Sequence, residues 1–386
     1  MSVDLSGIRL SRVELSFGQK VASLNWGLIL LITATVGFGI AVLYSLAEGS
    51  TDTWVRQQSI RFAIGFALMV TVALIDVRFW LRVAYVAYGL AIVALLAVEA
   101  AGIIGKGAQR WVDIGIVTFQ PSELMKIALV LALARFFHEH SLEEARKLRT
   151  LVIPALLVLV PAALVLQQPD LGTAAMLLLG GGAILLLVGV KLRVFVVLAA
   201  LAAGALPFGW KFLHEYQKDR ILTFLDPERD PLGAGYHILQ SKIALGSGGV
   251  FGRGFMEGTQ SHLSFLPEMQ TDFIFTTLAE EFGMVGALVL LGLYVLLIAY
   301  GIAIALRSRN HFGRILAAGI TSMFFCYVFI NIAMVTGLLP VVGVPLPLIS
   351  YGGTALVTLM GGFGLVISVY VHRDVRIARR PGGTVA

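Results

Sequence analysis

A chain of 386 residues that is 58% hydrophobic and only 13% charged carries about half the charge of an ordinary soluble domain, where about 25% is usual, and its mean hydropathy is +0.88. That composition excludes a soluble globular fold and points to an all-α polytopic membrane protein. The net charge of +6 lies between apolar runs rather than in a stripe, which argues against nucleic acid, and the lone Cys326 excludes an internal disulfide or a cysteine metal cluster.

Ten apolar runs follow in chain order: about Trp26–Leu46, Ile60–Ile75, Trp80–Val98, Leu124–Phe137, Leu151–Leu166, Leu171–Val190, Val194–Trp210, Phe273–Leu306, Ile315–Leu339 and Leu346–Val371. Crossing the bilayer core takes roughly 20 helical residues, so the short fourth and fifth runs need cover from neighbours. The first run lacks a small-residue cleavage site and is expected to stay as a span rather than leave as a signal peptide. With the N-terminus in the cytoplasm, 18 of the 29 basic residues fall in inside segments, among them Arg78, Arg82, Arg135, Lys191, Arg193, Arg307, Arg309 and Arg314, whereas the short outside connections at 167–170 and 340–345 hold none. The positive-inside rule then predicts cytoplasmic termini and a large periplasmic loop over 211–271, all within a single ten-helix transmembrane domain spanning 1–386. Within that loop, "HILQSKIAL" (237–245) predicts a short amphipathic helix. The following "GSGGVFGRGF" (246–255) predicts a flexible turn and lacks the phosphate-loop pattern. His138 and His140 read as surface residues of a basic loop, with no His/Cys/carboxylate spacing for a tight zinc site.

Unusual residues gather at the outer mouth. In "GKGAQRWVDIGIVTFQPSELMK" (105–126), Pro121 suits the first turn of a helix and Glu123 its positive dipole end. Lys126, three residues on, shares the face of Glu123 inside an apolar run, where a charge must meet a cavity or a partner. The pair reads either as a structural salt bridge or as part of a functional site. Asp170 in "QQPDLGT" (167–173) reads as an N-cap or as a partner for Lys126. "LLPVVGVPLPLISYGGT" (338–354) breaks a span with three prolines and a glycine pair. Irregular backbone at that depth belongs in protein or beside a wet cavity, where Ser350 and Tyr351 offer hydrogen bonds.

The stretch "LPEMQTDFIFTTLAEEFG" (266–283) places Glu268, Asp272, Glu280 and Glu281 at the head of the eighth run. On a continuous helix Asp272 would sit roughly 15 Å beyond the charge-free part, at the outer leaflet, and about 12 Å from Glu280, too far for one carboxylate dyad. Its neighbours Phe273, Ile274 and Phe275 suit a general base, and its position just before the run suits an N-cap equally. Glu280 and Glu281 read as structural helix-face residues, and no Ser-His-Asp set stands out.

Long ordered motifs extend over nearly the whole chain: "GAQRWVDIG", "FQPSELMK", "QPDLGTA", "LDPERDPLGAGYHILQSKIALGSGGVFGRG", "QSHLSFLPEMQTDFIF" and "PLPLISYGG". They resemble the SEDS family (shape, elongation, division and sporulation), multi-span bacterial proteins that polymerise peptidoglycan, and the wording is closer to elongation-type than to division-type members. Gln270 stands where many relatives have His. The resemblance implies ten helices and a glycosyltransferase acting on lipid II (the undecaprenyl-diphosphate-linked disaccharide pentapeptide) in the bacterial cytoplasmic (inner) membrane, with its active site facing the periplasm. Asp272 matches the family's essential aspartate, and Glu123 and Lys126 match its cavity pair. A class B penicillin-binding protein transpeptidase and other elongation-complex proteins are the implied partners, with membrane lipid around them.

The substrate then suggests Asp272 as catalytic base, Arg110 and Lys126 at the leaving diphosphate, Glu123 and Asp170 holding Lys126, and Ser350 as a further substrate contact. No cofactor is required by any motif; a divalent cation, magnesium or manganese, suits the chemistry, but no ligand set demands one. A lipid II flippase or a non-catalytic elongation scaffold are the rival readings, the first because a wet cavity with intramembrane charges also serves transport.

Overall fold

The computed structural model describes residues 16–105, 108–113, 118–140, 142–145, 147–209, 218–219, 222–224, 226, 234–258 and 268–377. Each of the ten apolar runs contains a helix. A short helix α1 (Phe17–Ala22) leads into α2 (Trp26–Leu46), α3 (Val55–Leu74) and α4 (Val77–Ala101). Three short strands follow, β1 (Ile103–Gly105), β2 (Ala108–Asp113) and β3 (Thr118–Phe119), then α5 (Pro121–Glu139) and the single turn α6 (Leu142–Ala145). The chain continues through α7 (Leu148–Gln167), α8 (Leu171–Leu187) and α9 (Leu192–Gly209) to α10 (Ala234–Ser247), α11 (Ile274–Arg307), α12 (His311–Val335) and α13 (Gly353–Val371). Among the described residues seven helices are long and apolar enough to cross a membrane: α2, α3, α4, α7, α11, α12 and α13. The protein is therefore an all-α polytopic membrane protein. The helices α8 and α9 are apolar but shorter, and α5 carries Glu123, Lys126 and Arg135 within its length.

Helix starts follow the local chemistry. Asn25 caps α2 through Leu28 N (3.1 Å), Asp76 caps α4 through Arg78 N (2.7 Å), and Asn310 caps α12 through Gly313 N (2.6 Å). α13 packs along α3, α5 along α4, and α12 against α11, α8 and α5. The two most enclosed spans are α12 and α13, so α12 runs through the middle of the bundle and touches both sides of the mouth. The apolar core draws on both, with Phe324, Leu316, Met360 and Ile367 fully buried.

Three features depart from expectation. Residues 103–119 hold a small antiparallel sheet of order β1-β2-β3, pairing Ile104 with Gln109 and Val112 with Phe119; a strand hairpin suits the β-prone Trp111 and Val112. His138 is buried, 2% exposed, edge-on to Phe312, rather than a surface residue.

The third departure is a break in α11. Gly283 has φ 65° and ψ −160°, a region essentially reserved for glycine, so the straight-helix offset of Asp272 from the charge-free part of the run does not apply, whereas Asp272 to Glu280 lies wholly ahead of the break. A broken helix frees backbone groups that a membrane cannot satisfy. Here the glycine-rich turn after α10 satisfies them: Arg253 N donates to Glu280 O (3.0 Å) and Gly254 N to Glu281 O (3.1 Å), while Met284 N and Val285 N donate to Gly249 O (3.0 Å) and Val250 O (3.1 Å). The turn lies so close that a Cβ on Gly252 would stand 2.0 Å from Glu281 O. The stretch expected as a flexible loop is thus turn-rich but docked, and both carboxylates beside it, Glu280 and Glu281, are buried. Ser45 of α2 donates its hydroxyl to Glu281 Oε1.

Candidate active site

Asp272 lies one residue ahead of the α11 N-cap. That cap falls on Phe273 and has no side-chain cap bond. Asp272 is half-buried, whereas Phe273, Ile274 and Phe275 behind it are fully buried. Its backbone is held from three directions. The carbonyls of Gln270, Thr271 and Asp272 accept in turn from Tyr351 N (2.8 Å), Ser350 Oγ and Asn331 Nδ2 (2.8 Å). On the other side, the N–H groups of Thr271 and Asp272 both point to Glu268 O, at 3.0 and 3.1 Å. Glu268 takes the left-handed φ of 57° that this turn needs. Nothing of Asp272's main chain is left to drift, so its carboxylate leaves a fixed point.

The clamp comes from the broken segment 336–352 and from α12. Ser350 accepts Leu346 N (2.7 Å) at the same hydroxyl that donates to Thr271 O, and Gln58 of α3 donates to Ser350 O (2.9 Å). Asn331, fully buried on α12, gives its second amide hydrogen to Val344 O (2.7 Å). The irregular backbone is buried in protein, as its prolines predict, and the approach of α2 at Gly39 leaves no room for a Cβ, which would lie 2.7 Å from Ile349 Cα. Ser350, expected at the substrate, is 4% exposed with both hydroxyl functions engaged.

One helical turn before Asn331, Tyr327 on α12 closes a second group. Lys126 Nζ meets Glu123 Oε1 at 2.7 Å and also donates to Tyr327 Oη; that hydroxyl donates to Glu123 Oε2 at 2.9 Å. Pro121 starts α5 and puts Glu123 in its first turn, as the sequence implied. Glu123 and Lys126 are 6% and 2% exposed, so this cation is neutralised and enclosed. Asp170 is not one of its bonded partners. Asp170 caps α8, accepting Thr173 N (3.0 Å), Thr173 Oγ1 (2.9 Å) and Gln120 Nε2 (3.3 Å). Arg110, on β2, bonds the loop ahead of Asp170 through Gln168 O (3.1 Å) and Pro169 O. A narrow, mainly apolar crevice joins the two groups, lined by Tyr327, Pro345, Leu346, Ser350 and Leu356.

Tyr327 and Asn331 escaped the sequence reading. Their signal was present: two polar side chains four residues apart in an otherwise apolar span share one face and need partners. Among the described residues no group of three or more His, Cys, Asp or Glu is placed to hold a metal ion.

The profile of the FtsW/RodA/SpoVE family, described as cell cycle proteins, matches residues 21–375. The chain belongs to this family. The SEDS motifs therefore reflect membership, and the family's relatives extend over nearly the full length. Peptidoglycan glycosyltransferase MrdB of Escherichia coli (strain K12) is 49% identical over 361 residues, covering 93% of this chain and 96% of that protein. The protein of the same name from Helicobacter pylori (strain ATCC 700392 / 26695) is 39% identical over 346 residues, covering 87% and 88%. Among solved structures, a chain of a peptidoglycan synthase complex that coordinates polymerization and crosslinking superposes with a TM-score of 0.80 at 34% identity, covering 91% of this chain and 98% of that one. The rod shape determining protein RodA of Thermus thermophilus gives 0.69 at 31% identity, covering 91% and 97%.

Proposed function

We propose that this chain is a peptidoglycan glycosyltransferase that polymerises lipid II into glycan strands at the outer leaflet of the cytoplasmic membrane during elongation. The observation that carries the site assignment is the three-carbonyl clamp at Gln270, Thr271 and Asp272, because a general base must be held within hydrogen-bond reach of one hydroxyl. The names of the full-length relatives supply the reaction. An acceptor sugar hydroxyl attacks the anomeric carbon of the donor, a new C–O bond forms as the bond to the diphosphate breaks, and the hydroxyl proton passes to Asp272. A single displacement inverts the donor's α-linkage to β. Ser350 and Asn331 position the base. Glu123, Lys126 and Tyr327 form a fixed polar wall, and Arg110 fixes the loop that carries Asp170.

The same reading takes all ten helical runs as spans, with both termini in the cytoplasm and the loop over 211–271 in the periplasm. It takes a class B penicillin-binding protein as partner, by extension from the synthase complex that the fold resembles. Transport of the lipid precursor gains one point from the broken α11, since discontinuous helices serve transporters. The freed backbone groups next to the break are paired with the glycine-rich turn, however, and do not face a ligand. The test is lipid II polymerisation by purified protein with its transpeptidase. Asp272→Asn abolishes glycan synthesis while the protein stays folded; full activity in that variant removes the base assignment.

A further inference from the structure

Arg61 lies in the second turn of α3, inside an apolar span, where a cation must face a cavity or a partner. Its guanidinium stacks over the Tyr351 ring at 4.5 Å, and Nη2 makes a long 3.5 Å contact to Gln57 Oε1. Both partners are neutral, and buried Nη1 meets no acceptor. The two cations expected at the leaving diphosphate are already occupied, Lys126 by Glu123 and Tyr327, Arg110 by two carbonyls.

The N-terminus of α13 adjoins this guanidinium. A Cβ on Gly353 would stand 3.6 Å from Arg61 Cζ. The N-cap Gly352 offers no side-chain cap, and Thr354 in the first turn is 9% exposed with a hydroxyl that meets no partner. A helix start without a side-chain cap and a guanidinium with no carboxylate partner among the described residues both favour an anion. Tyr351 ties the pair to the base, because its ring carries Arg61 while its N–H holds Gln270 O, two residues before Asp272.

We propose that Arg61 and the start of α13 form a binding site for the diphosphate of a polyprenyl-diphosphate-linked sugar substrate, the role that sequence reasoning placed on Arg110 and Lys126. The identity of the anion rests on the glycosyltransferase reading; the site itself does not.

The experiment measures binding of undecaprenyl diphosphate, undecaprenol, inorganic diphosphate and phosphatidylglycerol to the full-length protein in detergent. The parent binds undecaprenyl diphosphate at least about tenfold more tightly than undecaprenol, and Arg61→Gln loses about 10- to 100-fold of that affinity, the range of a charge-assisted contact. Arg61→Lys, which keeps the charge but not the planar fork, weakens binding by a few-fold and serves should the glutamine variant fail to fold. In polymerisation Arg61→Gln raises KM more than it lowers kcat. Unchanged undecaprenyl diphosphate binding in either variant overturns the proposal. So does a loss confined to phosphatidylglycerol or to inorganic diphosphate, which would make the site one for bilayer lipid or for free anion. Asp272→Asn keeps undecaprenyl diphosphate binding, so failure of the base assignment and failure of this site are read separately.

Discussion

Asn331 donates one amide hydrogen to Asp272 O at 2.8 Å and the other to Val344 O at 2.7 Å, from a position with no solvent exposure. One side chain thereby binds the Asp272 turn to the broken segment. Asn331→Leu keeps the shape and removes both donors, leaving two carbonyls short of a partner at about 1–3 kcal/mol each. The expected result is a kcat lowered about 10- to 100-fold with KM nearly unchanged, since a base displaced by a fraction of an ångström loses alignment before it loses substrate. Lipid II polymerisation kinetics on folded protein test this, and equal changes in kcat and KM would count against positioning.

The Glu123–Lys126–Tyr327 group gives a different kind of prediction. With both charges enclosed, removing one leaves the other buried without compensation, which costs about 3–5 kcal/mol, whereas removing both avoids that penalty. Glu123→Gln and Lys126→Met should each destabilise strongly, and the double variant should recover at least about 1 kcal/mol against their sum. Unfolding of the purified protein in detergent measures the cycle. Additivity within about 0.5 kcal/mol would show that the two charges are not coupled.

How much of this was legible in the sequence depends on the range of the interaction. The ten helical runs were readable because each depends on its own apolar composition, and α2 coincides with the expected Trp26–Leu46. Pro121, Glu123 and Lys126 were readable because they act within one turn of one helix. Tyr327 and Asn331 were not, because their partners Glu123 and Asp272 are distant in sequence and the residues stand singly among apolar neighbours. The kink at Gly283 was hidden for a similar reason. The glycine follows an ordinary helical pattern, and what permits the break is a turn some thirty residues earlier. Lys126 and Arg110 looked like available cations because charge is visible in sequence and its neutralisation is not.

The break in α11 makes a sharp comparison between glycines. Gly283→Ala places a Cβ 2.3 Å from Gly252 N at φ 65°, so it must disturb the four backbone bonds that close the kink. Gly249→Ala, at φ 54° with open space around it, carries only the left-handed penalty of about 1–2 kcal/mol. Folded yield and melting temperature should fall steeply for Gly283→Ala and mildly for Gly249→Ala; similar values would mean that the turn does not clasp the helix.

His372, one residue past the end of α13, lies buried with Nδ1 at 2.9 Å from Ser368 O. Burial holds its imidazole below the usual 6.5; Lys20 and Arg78 push the same way, and the Ser368 carbonyl and Asp76 oppose them. A pKa lowered on folding means that the unfolded chain binds the proton first, so the contribution present above 6.5 is lost as the pH falls through the folded value. The melting temperature of the parent should therefore drop between about pH 7.5 and about pH 5.5, and His372→Gln, which cannot titrate, should flatten that slope. Thermal unfolding of both proteins across this range decides the matter, and parallel curves would assign the acid sensitivity to another group.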